Sequence, residues 1–158
     1  MARSFSTATL TVKIQEGIVL GGRDMGSLNS FSVTGIKNIV KRLMTATTSK
    51  TEVLKFDTTE AAGQYIKANV KYIRITNLDD TNHIWVFLTN SDTSTDEVVF
   101  KLDSGQSFIY NADSGGVVDS FAIAVDGDAD ETGATDLTSI EVKADTNSCD
   151  IETYIATT

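Results

Sequence analysis

Apolar and polar residues alternate with period two along most of the chain. Leu10, Val12 and Ile14 alternate with Thr11, Lys13 and Gln15, the pattern of a half-buried strand. Ile18-Val19-Leu20 then runs into Gly21-Gly22-Arg23-Asp24-Met25-Gly26, which predicts a loop between strands. Further strands are predicted at 28–33, 52–56, 70–76, 84–89, 98–102, 107–110, 121–125, 139–143 and 150–155. Short strands divided by polar turns predict an all-β fold. The expected architecture is one antiparallel β-sandwich domain over residues 1–158, jelly-roll-like, with about eight to ten strands. One segment has another period. Ile36, Ile39, Val40 and Leu43 follow the i, i+3, i+4, i+7 spacing of a helix with one buried stripe. Thr34 is placed to cap it, and Lys41 and Arg42 suit the negative pole of its dipole. A short α-helix at 36–44, packed on the sheet, is therefore expected.

Composition narrows the class. A chain of 158 residues with 41% hydrophobic and 22% charged side chains builds an ordinary globular core. Ser and Thr exceed one residue in five, which suits pleated, half-solvated surfaces. Cys149 is the single cysteine, so neither an intramolecular disulfide nor a cysteine zinc site can form. The first dozen residues lack the continuous apolar run of a signal peptide, and no stretch approaches a membrane span. The expectation is a soluble protein made in a cytoplasm, with no membrane partner. Proline is absent, which removes one common guard of exposed strand edges. Residues 1–8 and the Thr-rich end at 155–158 are short enough to act as arms that reach a neighbour.

Candidate chemistry is sparse. Asp126, Asp128 and Asp130, with Asp136 beyond, alternate as oxygen ligands do in calcium loops. The sixth loop position is Glu131 rather than Gly and the twelfth is Leu137 rather than Glu, so an acidic solvated turn is the preferred reading and calcium the alternative. Asp79 and Asp80 read as hairpin punctuation, since Asx residues bond their own backbone. His83 is the only histidine and reads as a turn or sheet-edge residue. Trp85 shares a strand face with Phe87 and is read as core, with sugar stacking the alternative. Cys149 reads as a small buried hydrophobe. Neither a nucleophile elbow nor a phosphate loop occurs, so a non-catalytic protein without cofactors is expected.

Charge is the strongest physical signal. The net charge of −9 disfavours nucleic acid as a partner. It divides unevenly, with +5 on residues 1–79 and −14 on residues 80–158. Lys37, Lys41 and Arg42 share the exposed side of the expected helix and are candidate interface residues. If the split becomes a surface dipole, copies could dock head to tail.

Three segments carry a resemblance: Leu10-Thr11-Val12-Lys13-Ile14-Gln15-Glu16-Gly17-Ile18-Val19-Leu20-Gly21-Gly22, Lys71-Tyr72-Ile73-Arg74-Ile75-Thr76-Asn77-Leu78-Asp79-Asp80 and Lys101-Leu102-Asp103-Ser104-Gly105-Gln106-Ser107-Phe108. In that order the chain resembles a family of small virion-associated proteins of tailed phages of marine bacteria. The resemblance implies a structural role in the virion, as a capsid decoration (cement) protein or as a tail, neck or fibre component. It implies major capsid or tail subunits as partners and a homo-oligomer. It carries no functional residue. The alternative from another class is a carbohydrate-binding adhesin module that stacks sugars on Trp85, Tyr110 or Tyr154.

Overall fold

The computed structural model describes residues 6–59, 61–90, 97–112, 122–123 and 135–158, with the backbone alone at 90, 122, 123, 135 and 136. Strands β1 (Ala8–Glu16), β2 (Val19–Leu20), β3 (Arg23–Asp24) and β4 (Ser27–Ile36) open the chain. The body follows with β5 (Asn38–Ala46), β6 (Thr51–Asp57), β7 (Gln64–Ile66), β8 (Val70–Asn77) and β9 (Ile84–Asn90). It ends with β10 (Glu97–Leu102), β11 (Ser107–Asn111), β12 (Ala122–Ile123), β13 (Thr135–Ala144) and β14 (Cys149–Thr157). One 3-10 turn, Lys67–Asn69, leads into β8.

Two sheets form the body. One runs β11-β8-β14-β5 and is antiparallel throughout. The other runs β10-β9-β13-β6, also antiparallel, with β7 added parallel to β6 at its edge. The chain changes sheet between β5 and β6, β7 and β8, β8 and β9, β10 and β11, β11 and β13, and β13 and β14. Two four-stranded sheets interleaved in this order have jelly-roll connectivity. The all-β sandwich is thus the observed fold.

Alternation places the core between the sheets. Ile73 and Ile75 of β8, Ile151 and Ile155 of β14, Ile84, Val86 and Leu88 of β9, and Ile140 and Val142 of β13 are all buried there. A bulge in β6 opposite Ile140 and Glu141 turns both Val53 and Leu54 inward. Cys149 is fully buried in this core, as read from sequence, and burial foremost raises its thiol pKa.

The expected helix at 36–44 is a strand instead. Asn38–Ala46 pairs residue for residue with Cys149–Thr157 across nine positions. Val40 and Met44 stand opposite Ile155 and Ile151 on the inner face, while Ile39 and Leu43 point outward. The apolar stripe fits both periods over so short a segment, and a full backbone ladder outweighs the weak propensity of an isolated helix. The ends differ too. Ile155 and Ala156 are buried in β14, so the C-terminal segment is no free arm. Ala8 already belongs to β1, and residues 1–5 lie outside the described residues.

Candidate interaction surfaces

The element that leaves the body is a long hairpin. β1 and β4 pair from Ala8–Ile36 at the base to Glu16–Ser27, and β2 and β3 continue the ribbon to its tip. Gly21 and Gly22 close the tip with φ of 58° and 78°. Positive φ at both central residues is the type I′ requirement, and that turn matches the twist of the flanking strands. The Met25 N–H donates to the Ile18 carbonyl at 2.9 Å, bridging the two ladders.

The base of the arm is anchored. Val33 and Ile36 pack with Tyr72 and Ala156 on the outer face of the β11-β8-β14-β5 sheet, with Leu10, Val12, Phe31, Ile109 and Tyr154 around them. Tyr72 meets Tyr154 edge to face at 5.9 Å between centroids. Beyond Val12 and Phe31 every residue from 13 to 30 is exposed. Eight residues from Val12 to Leu20 at about 3.3 Å each carry the tip about 26 Å past that anchor. Ile14, Ile18, Val19, Leu20, Met25 and Leu28 are all exposed along this stretch, Val19 by 71% and Leu20 by 67%. Register sets Ile14 and Leu28 on opposite faces of the ribbon, and Val19 and Leu20 likewise, so one face offers at most four of the six, on the order of 400 Å² of apolar surface, within the range of the largest patch on a typical monomer.

A polar belt crosses the same sheet beside the arm. Lys41 Nζ lies 2.7 Å from Glu152 Oε2, and the other carboxylate oxygen takes Arg74. Arg74 donates to Thr76 Oγ1 at 2.5 Å, and the Thr76 and Ser107 hydroxyls meet at 2.8 Å. The hydrogen bond from Lys41, joined by that from Arg74, holds the largely buried Glu152 below the usual carboxylate range. On the opposite sheet Lys50 bridges Glu97 and Glu141, the latter at 3.7 Å, and sits 4.2 Å over the Phe87 ring. Each of these pairs joins a base from residues 1–79 to an acid from residues 80–158. The uneven charge of the sequence therefore becomes stitching between strands, because both sheets draw on both halves. Of the interface candidates, Lys41 is engaged with Glu152, whereas Lys37 and Arg42 are exposed. The three do not form one helix face.

The core reading of Trp85 is corrected. Ile84, Val86 and Leu88 take the inner face, so Trp85 and Phe87 share the outer one, half-buried. Five consecutive apolar residues carry no period by which sequence could choose the face. Register places Trp85 between Lys101 and Lys143 on the neighbouring strands. His83 meets the indole edge-on at 5.4 Å, and its Nε2 lies 3.5 Å from Asp145. Tyr154 lies on the outer face of the other sheet, and Tyr110 packs against the core between them. The three aromatic candidates thus stand on three separate surfaces.

Asp79 does punctuate a turn, but β8 and β9 belong to different sheets, so the turn is an arch rather than a hairpin. Asp79 Oδ1 accepts from the Thr81 and Asn82 N–H groups at 2.9 and 2.6 Å, which lower its pKa. Asn77, fully buried, anchors the arch. Its amide donates to the Asn82 and Leu102 carbonyls at 2.8 and 3.2 Å, and its Oδ1 accepts from Asp79 N–H at 3.1 Å.

Asp126, Asp128 and Asp130 lie outside the described residues, as does the side chain of Asp136. Among the described residues no group of three His, Cys, Asp or Glu side chains could hold a metal ion. Open hollows among the described residues include a space of about 400 Å³ near Lys55, Lys67 and Ser139, and one of about 270 Å³ between Lys13, Arg74 and Tyr154. Compared with known proteins, the chain matches no family model, no curated protein and no solved structure.

Proposed function

We propose that this chain is a non-catalytic structural protein of a tailed-phage virion, a capsid decoration protein that binds other virion subunits through its hairpin arm. The observation that carries the reading is the arm itself, a ribbon whose outer stretch presents six large apolar side chains to solvent. The largest apolar patch on a protein surface is often its contact site. The jelly roll recurs in viral capsid domains, which supports the reading by analogy of fold alone. The sequence resemblance supplies the phage context, with a tail, neck or fibre position as the alternative placement. Purified particles should contain the chain in stoichiometric amount. Because apolar contact is not screened, it should remain bound in about 1 M salt. Particles that lack the chain would refute the reading, and imaging of its density would place it on head or tail.

A carbohydrate-binding role has one observation in its favour, the outward Trp85 flanked by Lys101 and Lys143. An oligosaccharide titration followed by Trp85 fluorescence would refute that reading if no ligand changed the emission.

A further inference from the structure

We propose that the hairpin arm of one copy docks on the β5 edge of a second copy of this chain. The inference rests on the arm-mediated assembly reading and names the occupant of the arm in the free chain, a second copy that the particle later replaces.

Donor and acceptor are both present on the chain. Among the described residues ten large apolar side chains are exposed. Six belong to the arm, and two, Ile39 and Leu43, stand on the outer face of β5, with exposures of 47% and 71%. The donor is a two-stranded ribbon whose residues 13–30 are all exposed. Such a ribbon is marginally stable alone in water and gains from a third strand or a covered face. The acceptor is the outermost strand of its sheet, nine residues long, with an unbroken ladder to β14 and no proline to block pairing. Lysines guard many edges, but Lys41 is already drawn to Glu152. Its charge lies along the sheet instead of confronting a newcomer.

Strand addition joins the two. Main-chain groups of the arm pair with the open side of β5, and the apolar tip covers Ile39 and Leu43. The same sheet face already accepts the base of the chain's own arm on Tyr72 and Ala156, so a neighbour's ribbon extends an existing contact. One docked arm, with about 400 Å² on its covering face, buries about 800 Å² counted over both partners, and two arms exchanged about a twofold axis bury about 1,600 Å², the standard size of a specific interface.

The test uses the full chain in sedimentation velocity over a concentration series, with Leu20→Asp as donor variant and Leu43→Gln as acceptor variant, an uncharged change because position 43 faces Glu152 across the ladder. Both positions are exposed, so thermal melts should match the parent and exclude misfolding. The parent should self-associate, and each variant alone should associate about tenfold or more weakly. Mixing the two variants should restore a one-to-one complex, because an intact arm then meets an intact edge. A parent that stays monomeric throughout would overturn the proposal. So would a mixture that stays monomeric while the parent associates, since that result means arm-to-arm contact. Neither outcome touches the assembly reading, which fails separately if Leu20→Asp still binds particles as the parent does.

Discussion

Replacing Asn77 by Ala should unfold the body more readily than its position beside an exposed turn suggests. Asn77 is completely buried and makes three hydrogen bonds, two to the Asn82 and Leu102 carbonyls and one from the Asp79 N–H. Its own backbone also holds the β10–β11 turn, through Gln106 O and Gly105 N–H. The side chain thus ties the arch between the two sheets to the end of β10. Each neutral hydrogen bond contributes about 1 kcal/mol net, and a buried group left unpaired costs about 1–3 kcal/mol. The Leu102 carbonyl bond is the one in the buried interior, while those at Asn82 and Asp79 are part-buried and open to water. The expected loss is therefore about 2–4 kcal/mol. For a chain of this size that lowers Tm by roughly 5–15 °C. Urea unfolding followed by circular dichroism should show a lower midpoint with an unchanged slope. Asn77→Asp keeps the acceptor for Asp79 but turns a carboxylate toward two carbonyls, so at neutral pH it should destabilise at least as much. Leu78→Ala, next in sequence but exposed, should stay within about 0.5 kcal/mol. If Asn77→Ala also stayed within about 0.5 kcal/mol, the arch would not depend on this side chain.

Other substitutions test other parts of the account. Glu152 has a folded pKa below its ordinary 4.5, so its pairs contribute stability that is present above that value and lost as pH falls through the folded pKa. Glu152→Gln should lower stability at pH 7 by about 1–3 kcal/mol and flatten the acid limb below about pH 4.5, and an unchanged acid limb would contradict the pairing. Thr153 faces the core between Ile151 and Ile155, 1% exposed, and its hydroxyl has no partner among the described residues. Thr153→Val should stabilise by about 1 kcal/mol in the same urea assay, and a loss of stability would mean the hydroxyl is satisfied. Ile140→Ala empties the centre of β13 and should cost about 2–5 kcal/mol; a smaller loss would mean the sheets close over the gap.

Sequence displayed the strands whose two faces differ. Val70–Asn77 and Cys149–Thr157 lie within a residue or two of their expected bounds, because Ile73 and Ile75, and Ile151 and Ile155, recur at alternate positions toward the core while polar residues such as Arg74, Thr76 and Glu152 take the other face. Where both faces are apolar the pattern is silent, and the core reading points Trp85 and Phe87 inward although both stand outward. At β5 an edge strand with one half-buried face imitates a helical stripe, and only its ladder to β14 distinguishes the two. The three-residue β7 is too short to show a period. Partners such as Lys41 and Glu152 lie 111 positions apart and become neighbours through register alone. The arm was half visible. The Gly21-Gly22 turn and the flanking alternation predict a hairpin, whereas the exposure of Ile18-Val19-Leu20 depends on what the body fails to cover.

The central claim is that the apolar arm holds this chain to the virion. Its most direct test adds purified protein to particles made without it and compares the parent with the double variant Val19→Asp, Leu20→Asp by co-sedimentation. The parent should pellet with the particles at low and high salt while the double variant, folded by its melt, stays in the supernatant. Equal pelleting of the two would contradict the claim.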